Sequence, residues 1–172
     1  MSPLVEALLH AMGEDPDGVW SQTRLVEAGF DPSTVRRAFK RHFGMTFLAF
    51  ARLRRLQRGS SALAGGARVI DAQLEAGFDS GSGFRAALAK LLSVPPASLT
   101  QNHGSLWVDW LDTALGPMIA VADDTSLHLL EFADRRALGG ELRRLRTRMG
   151  ELSIGRTRVI DGLEAELEAF FA

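Results

Sequence analysis

Residues 28–58 read AGFDPSTVRRAFKRHFGMTFLAFARLRRLQR. Asp31 followed by Pro32 is a strong helix start: an Asp side chain caps exposed N–H groups, and Pro fits the first turn. The spacing predicts a helix to about His42, with Val35, Ala38 and Phe39 on one side. Arg36 and Lys40 are four apart, as are Arg37 and Arg41, which turns their charge outward. Gly44 ends this helix and Thr46 caps the next. The second helix carries Arg52, Arg54, Arg55 and Arg58 around Phe47, Phe50, Leu53 and Leu56. No acidic residue occurs between Asp31 and Asp71. A surface of one sign most readily faces a phosphate backbone, the bland alternative being a basic solvated face.

Upstream, Leu4, Val5, Leu8, Leu9 and Met12 recur at helical spacing. Gly13 to Gly18 reads as a turn. Trp20 to Glu27 reads as a short helix with Trp20, Leu25 and Val26 inside. Ala28-Gly29-Phe30 is a tight turn in which Gly permits a left-handed conformation. Helix, short turn, helix is the helix-turn-helix arrangement, whose second helix enters the major groove of DNA.

Downstream the pattern recurs. Gly59 to Ala67 reads as a Gly/Ala/Ser-rich linker, unless Leu63 extends the preceding helix. Val69, Ile70, Ala72 and Leu74 fit a short packing helix. Gly77-Phe78-Asp79 repeats Gly29-Phe30-Asp31, and Phe84, Leu88 and Leu92 repeat Val35, Phe39 and Phe43. The offset grows from 48 to 49 residues between turn and helix, a one-residue insertion. This is an internal repeat of two helix-turn-helix units. The first recognition helix carries Ser33, Thr34, Arg36, Arg37, Lys40 and Arg41. The second carries Ser80, Ser82, Arg85 and Lys90, and Gly81 and Gly83 soften its first turn. The first unit is therefore expected to supply most of the affinity.

Thr34 and Arg37 are the candidates for reading bases, since a recognition helix reaches deepest at its N-terminal end. Lys40, Arg41 and Arg55 are candidates for phosphate contacts, which position without reading sequence. The competing role for Arg37 is a brace to Glu27.

Charge supports this division. Residues 1–100 hold 12 Lys or Arg against 9 Asp or Glu, and residues 101–172 hold 8 against 12. By charge, the second part is the poorer nucleic-acid candidate. Cysteine is absent, which removes disulfides, thiolate metal sites and a cysteine nucleophile together. His10, His42, His103 and His128 form no ligand motif. No long apolar run is present and no signal pattern opens the chain, so a cytoplasmic protein is expected.

Pro95 and Pro96 close the repeat, and Ala97 to Gly104 reads as a linker. Leu106–Leu111, Met118–Ala122 and Leu127–Phe132 read as strands joined by turns at 112–117 and 123–126, an antiparallel meander. Arg135 to Met149 reads as a helix with Leu138, Leu142 and Leu145 on one side. Val159 to Phe171 reads as another, with Ile160, Leu163, Leu167 and Phe170 or Phe171 as its stripe. Of Asp109, Asp112, Asp123 and Asp124, most sit at strand ends and turns, where Asp is common for backbone reasons, so no metal site is assigned to them. No acid–base pair is evident.

Residues 20–96 resemble the DNA-binding domain of the AraC family of transcription regulators. Arg37, Phe39, Lys40, Phe43 and Gly44 match its first pattern and Arg55-Leu56 its central-helix pair. In the second copy Gly77-Phe78, Ser82 and Phe84 match, while Ala86, Leu88 and Ser93 stand where the family has Arg, Phe and Gly. The wording is similar to the Ada-type adaptive-response regulators. In those proteins the domain is fused to an alkylguanine-DNA methyltransferase. WVDWLDTALGPMIAVADD and LHLLEFADRRALGGEL resemble the N-terminal, ribonuclease-H-like domain of that methyltransferase. Thr113-Ala114-Leu115-Gly116 stands for its Thr-Pro-Leu-Gly turn.

The resemblance implies a mostly α chain: an AraC-type double helix-turn-helix domain over 1–100, then a small α+β, ribonuclease-H-like domain over 101–172. It implies a sequence-specific DNA-binding regulator with double-stranded DNA as partner. Further candidate partners are RNA polymerase and a separately encoded methyltransferase catalytic domain. No cofactor, no metal and no membrane are expected. The family's Pro-Cys-His-Arg acceptor is expected beyond Ala172, so the chain reads as a shortened Ada-like protein without alkyl-transfer activity. The alternatives are an inactive remnant that binds DNA weakly, and one component of a two-part alkyltransferase.

Overall fold

The structure, a computed structural model, describes residues 2–94 and 105–172. In chain order the elements are α1 (Pro3–Glu14), α2 (Gln22–Glu27), α3 (Pro32–Phe43), α4 (Phe47–Ala64), α5 (Val69–Glu75) and α6 (Gly81–Leu92). They are followed by β1 (Leu106–Thr113), β2 (Gly116–Ala122), β3 (Leu127–Phe132), α7 (Leu138–Met149), β4 (Leu152–Ile154) and α8 (Arg158–Phe171). A helical helix-turn-helix region thus precedes a small α+β region. The chain forms two compact units, Met1–Arg55 and Leu56–Ala172. The linker expected at 97–104, and with it the expected boundary near residue 100, lies outside the described residues.

The first unit packs α1, α2, α3 and the start of α4 around one cluster. Val5, Leu8, Leu25, Val35, Phe39, Met45, Phe47 and Phe50 are buried together. Phe39 is its hub, with ring centroids 4.9 Å from Phe43, 5.1 Å from Phe47 and 5.4 Å from Phe50. Such edge and tilted contacts add to burial. α2 begins at Gln22 rather than Trp20, because the Ser21 side chain accepts from Arg24 N and caps it there. Trp20 stays outside the helix yet packs on the cluster, 4.5 Å below the Arg24 guanidinium. Val26, expected inside, is exposed. On a six-residue helix only Leu25 faces the core.

In the second unit the expected linker is mostly helix. α4 continues through Gly59 to Ala64, leaving 65–68 as the connection. Gly59 and Ser60 are buried. A Cβ at Gly59 would lie 2.6 Å from Phe84 Cε2 and 2.8 Å from the Ala72 carbonyl oxygen. The glycine is therefore a point of close helix approach, not a flexible joint. On α5, Ala72 and Gln73 are buried, while Ile70 and Leu74, expected to pack, are exposed. Gln73 takes the inward place because its Nε2 donates to the Phe78 carbonyl at 2.9 Å and ties down the turn.

The sheet has four strands in the order β3-β2-β1-β4. β1 and β2 pair antiparallel from Trp107 opposite Ala122 to Thr113 opposite Gly116. Strand pairing therefore reaches well into the turn expected at 112–117. Thr113 Oγ1 donates to the Gly116 carbonyl at 2.8 Å and accepts from Leu115 N at 3.2 Å. β2 and β3 pair antiparallel with an irregularity at Val121/Ala122. β4, absent from the expected meander, pairs parallel with β1, Leu106 opposite Leu152. α7 starts at Leu138, with 135–137 in a turn. α8 lies on the face formed by Leu111, Ala120 and Ala122, with Ile160 fully buried among them. Leu163 and Leu167 follow on the same stripe, whereas Phe170 is exposed.

Candidate nucleic-acid interface

α3 is built for presentation. Its N-cap Asp31 accepts from Thr34 N at 2.8 Å and from Ser33 Oγ at 2.8 Å. Its C-cap Gly44 adopts φ 75°, which leaves the helix free to stop where Phe43 meets the core. Val35 and Phe39 point inward, so the helix exposes Ser33, Thr34, Arg36, Arg37, Lys40 and Arg41 on the other side. Arg37 Nη2 donates to Thr34 Oγ1 at 3.3 Å. The N-terminal turn is therefore one hydrogen-bonded series, Asp31 to Thr34 to Arg37. No ion pair joins Arg37 to Glu27 among the described residues. Thr46 caps α4, accepting from Ala49 N at 3.2 Å. Arg55 is half-buried on α4.

The Thr34 hydroxyl, then the Thr34 N–H and the Ser33 hydroxyl, hold the Asp31 carboxyl down at about 2. Its folded pKa is depressed, so its stabilising effect is present above the unfolded value near ~3.9 and is lost as pH falls toward 2. Between pH 5 and 2, wild type is expected to lose thermal stability relative to Asp31→Asn, whose amide caps without titrating. Parallel melting curves for the two proteins across that window would refute the assignment.

α6 repeats this plan. Ser80 caps it by accepting from Gly83 N at 3.1 Å, and Ser80 stands 49 residues after Asp31. Four residues separate α2 from α3 and five separate α5 from α6, which is where the inserted residue sits. Phe84, Leu88 and Leu92 are buried, as their spacing predicts. Ser82 and Lys90 are exposed and Arg85 is half-buried. The second C-cap is Ser93 at φ 53°, the only described non-glycine residue with positive φ.

The chain thus holds two capped twelve-residue helices, each behind a short helix and a tight turn. A family model described as a helix-turn-helix domain matches residues 26–102. Residues 26–102 are thus similar to a helix-turn-helix domain of the AraC type. No curated protein matches the chain. The likeness supports DNA as a partner, and the 105–172 region lies outside the match. No helix among the described residues is long and apolar enough to cross a membrane.

Within the matched segment, the candidate residues divide by copy. Ser33, Thr34, Arg36, Arg37, Lys40 and Arg41 share one exposed helix in the first unit. Ser80, Ser82, Arg85 and Lys90 share α6 in the second. Among the described residues no three of His, Asp or Glu gather in the manner of a metal site. Asp109 lies mid-strand, buried, with Arg156 Nη1 at 3.0 Å. Asp123 is a turn residue, accepting from Thr125 N and Ser126 N at 2.7 Å each. Beside it His128 Nε2 lies 2.7 Å from the Asp123 carboxylate, and that contact is the largest cause holding the acid well below the usual carboxylate range.

Beyond the AraC-type domain, sequence reading placed no site residue on α7. There Gly140, Arg143, Arg144, Thr147 and Arg148 line a shallow groove of about 350 Å³. The signal was present as four arginines between 143 and 148. Averaging charge over residues 101–172 hid it.

Proposed function

We propose that the chain is a sequence-specific transcription regulator of the AraC/Ada type. The observation that carries this reading is the cationic outer side of α3, capped at both ends and backed by the Phe39 cluster. Thr34 and Arg37 read bases from its N-terminal half. Lys40, Arg41 and Arg55 hold phosphates, and Ser80, Ser82, Arg85 and Lys90 serve the second copy. The Thr34–Arg37 hydrogen bond favours this assignment, since it holds the guanidinium along the helix end that enters the groove. Residues 105–172 are proposed as a methyltransferase N-terminal-like, ribonuclease-H-like domain. Its support is the meander, the crossover helix and the Thr113–Gly116 turn. With no cysteine in the chain, no thiolate accepts an alkyl group here, so the region acts without that chemistry.

Binding measured over a salt series separates the two roles. Lys40→Ala should weaken all duplexes about equally and lower the log-affinity salt slope by about 1. Arg37→Ala should erase the preference between the best site and its point variants, since a bidentate Arg–guanine pair is worth ~1–3 kcal/mol of discrimination. An Arg37→Ala protein that stays folded and keeps its full preference would overturn the base-reading role.

A further inference from the structure

We propose that the arginine face of α7 is a second phosphate-contact surface, which places the end of the second recognition helix against the DNA backbone. The inference rests on the DNA-binding reading above and deepens it.

α7 has three sides with different uses. Leu138 and Leu142 are buried. Gly139, Arg143 and Arg146 meet Ser93 at the end of α6. Arg146 Nη1 donates to the Ser93 carbonyl at 3.0 Å, and Arg143 Nη1 approaches Ser93 Oγ at 3.4 Å. A Cβ on Gly139 would fall 2.5 Å from Ser93 Oγ, so a larger residue there would turn that hydroxyl aside. The third side holds Gly140, Arg144, Thr147 and Arg148, which share the groove with Arg143. Gly140 leaves bare backbone between the guanidinium groups.

The charge on that side is poorly neutralised. Arg144 has Glu141 only at 3.9 Å, with both side chains partly in solvent. Among the described residues no acidic group lies within ion-pair distance of Arg143 or Arg148. Arg144 and Arg148 are four apart, a like-charge spacing that weakens a helix. The helix dipole favours cations in the last turn, which suits Arg146 and Arg148. It does not account for Arg144 at mid-helix, on the side away from the Ser93 contacts. An anion that bridges Arg143, Arg144 and Arg148 across the groove does.

The position selects the anion. The N-terminal half of a recognition helix enters the major groove, and its C-terminal end lies by the backbone. α6 carries only Arg85 and Lys90 as cations, against Arg36, Arg37, Lys40 and Arg41 on α3. Arg143 and Arg146 stand at the α6 C-cap, where the last turn of α6 carries one lysine, Lys90, against Lys40 and Arg41 in the last turn of α3. Arginine suits phosphate because its planar fork presents paired donors.

The test uses the full chain and mixed-sequence double-stranded DNA over a salt series. Arg144→Ala/Arg148→Ala spares the Ser93 contacts, so folding is checked only as a control. The double variant should lower the log-affinity salt slope by about 2. Arg144→Glu/Arg148→Glu should lower binding further, with thermal stability unchanged. A slope equal to wild type, in a preparation where Lys40→Ala does lower it, would overturn the inference and leave the regulator reading intact. Wild-type protein with no salt-dependent DNA binding would overturn both. Unchanged DNA slopes with loss of polyglutamate binding would assign the face to an acidic protein instead.

Discussion

Arg156→Ala is expected to lower the unfolding free energy by about 2–3 kcal/mol at neutral pH. The residue follows β4 and gathers three carboxylates. Its Nη1 meets Asp109 at 3.0 Å and its Nε meets Asp161 at 2.6 Å, while Nη2 bonds Glu164. Asp161 and Glu164 are solvated enough to manage alone. Asp109 is not, because its side chain is only 6% exposed, on a strand flanked by two others. Breaking a buried pair by removing one partner costs roughly 3–5 kcal/mol. Arg156 is itself 34% exposed, so water shares part of its role and the lower figure applies.

The pH dependence gives this expectation a sign. Burial pushes the Asp109 carboxyl above the usual carboxylate range, and the Trp110 N–H and then Arg156 pull it partly back. A raised folded pKa means full stability below the unfolded value near ~3.9, lost as pH rises through the folded value. Without Arg156 the folded value rises further. The variant's deficit should therefore shrink on acidification and grow toward neutrality. Adding Asp109→Asn to Arg156→Ala should recover stability at pH 7. Urea unfolding of the three proteins at pH 4 and 7 decides it, and a deficit independent of pH would show that Asp109 is not its source.

Gly59→Ala sets two effects against each other. Removing a glycine from a helix interior gains up to ~1 kcal/mol of propensity. Here the new methyl meets Phe84 ring atoms at 2.6 and 2.7 Å and the Ala72 carbonyl oxygen at 2.8 Å. Phe84 and Ala72 are both fully buried, and the carbonyl belongs to helix α5, so neither yields without moving a helix. Overpacking costs typically ~1–3 kcal/mol, so with the full propensity gain set against it the net loss should reach about 2 kcal/mol. Gly13→Ala is the matched control, since nothing lies within 4 Å of its Cβ and only the propensity gain remains. Stabilisation by both substitutions would mean that α4 does not press on the second helical pair as described.

Gly59 also marks where sequence reading stopped short. A Gly in a Ser- and Ala-rich stretch carries the same letters whether it loosens a chain or lets two helices touch. Only the partner, Phe84, distinguishes them. The α3 ends were legible because capping is local: Asp31-Pro32 and Gly44 act within one turn of themselves. The repeat was legible for the same reason, including its extra residue. Burial on α5 was not. Ile70 and Leu74 are apolar but face out, and Gln73 turns in because the Phe78 carbonyl needs a donor. β4 was invisible because three residues give no alternation to count. The α7 arginines were read as part of an acidic region, because net charge over a long window averages a local face away.

β4 has one more consequence, in the order of assembly. The three antiparallel strands pair through neighbours in sequence, so the meander can close early. β4 joins β1 only after the chain has crossed from one sheet edge to the other through α7, and such long-range pairing forms late. Arg156 comes two residues after this strand, and its clamp on Asp109 fastens the last step. Interactions made after the transition state govern escape from the native state rather than arrival in it. The Arg156 cluster is thus expected to act as a latch on lifetime: in stopped-flow unfolding, loosening it should shorten the residence of the folded sheet while leaving its rate of formation nearly untouched.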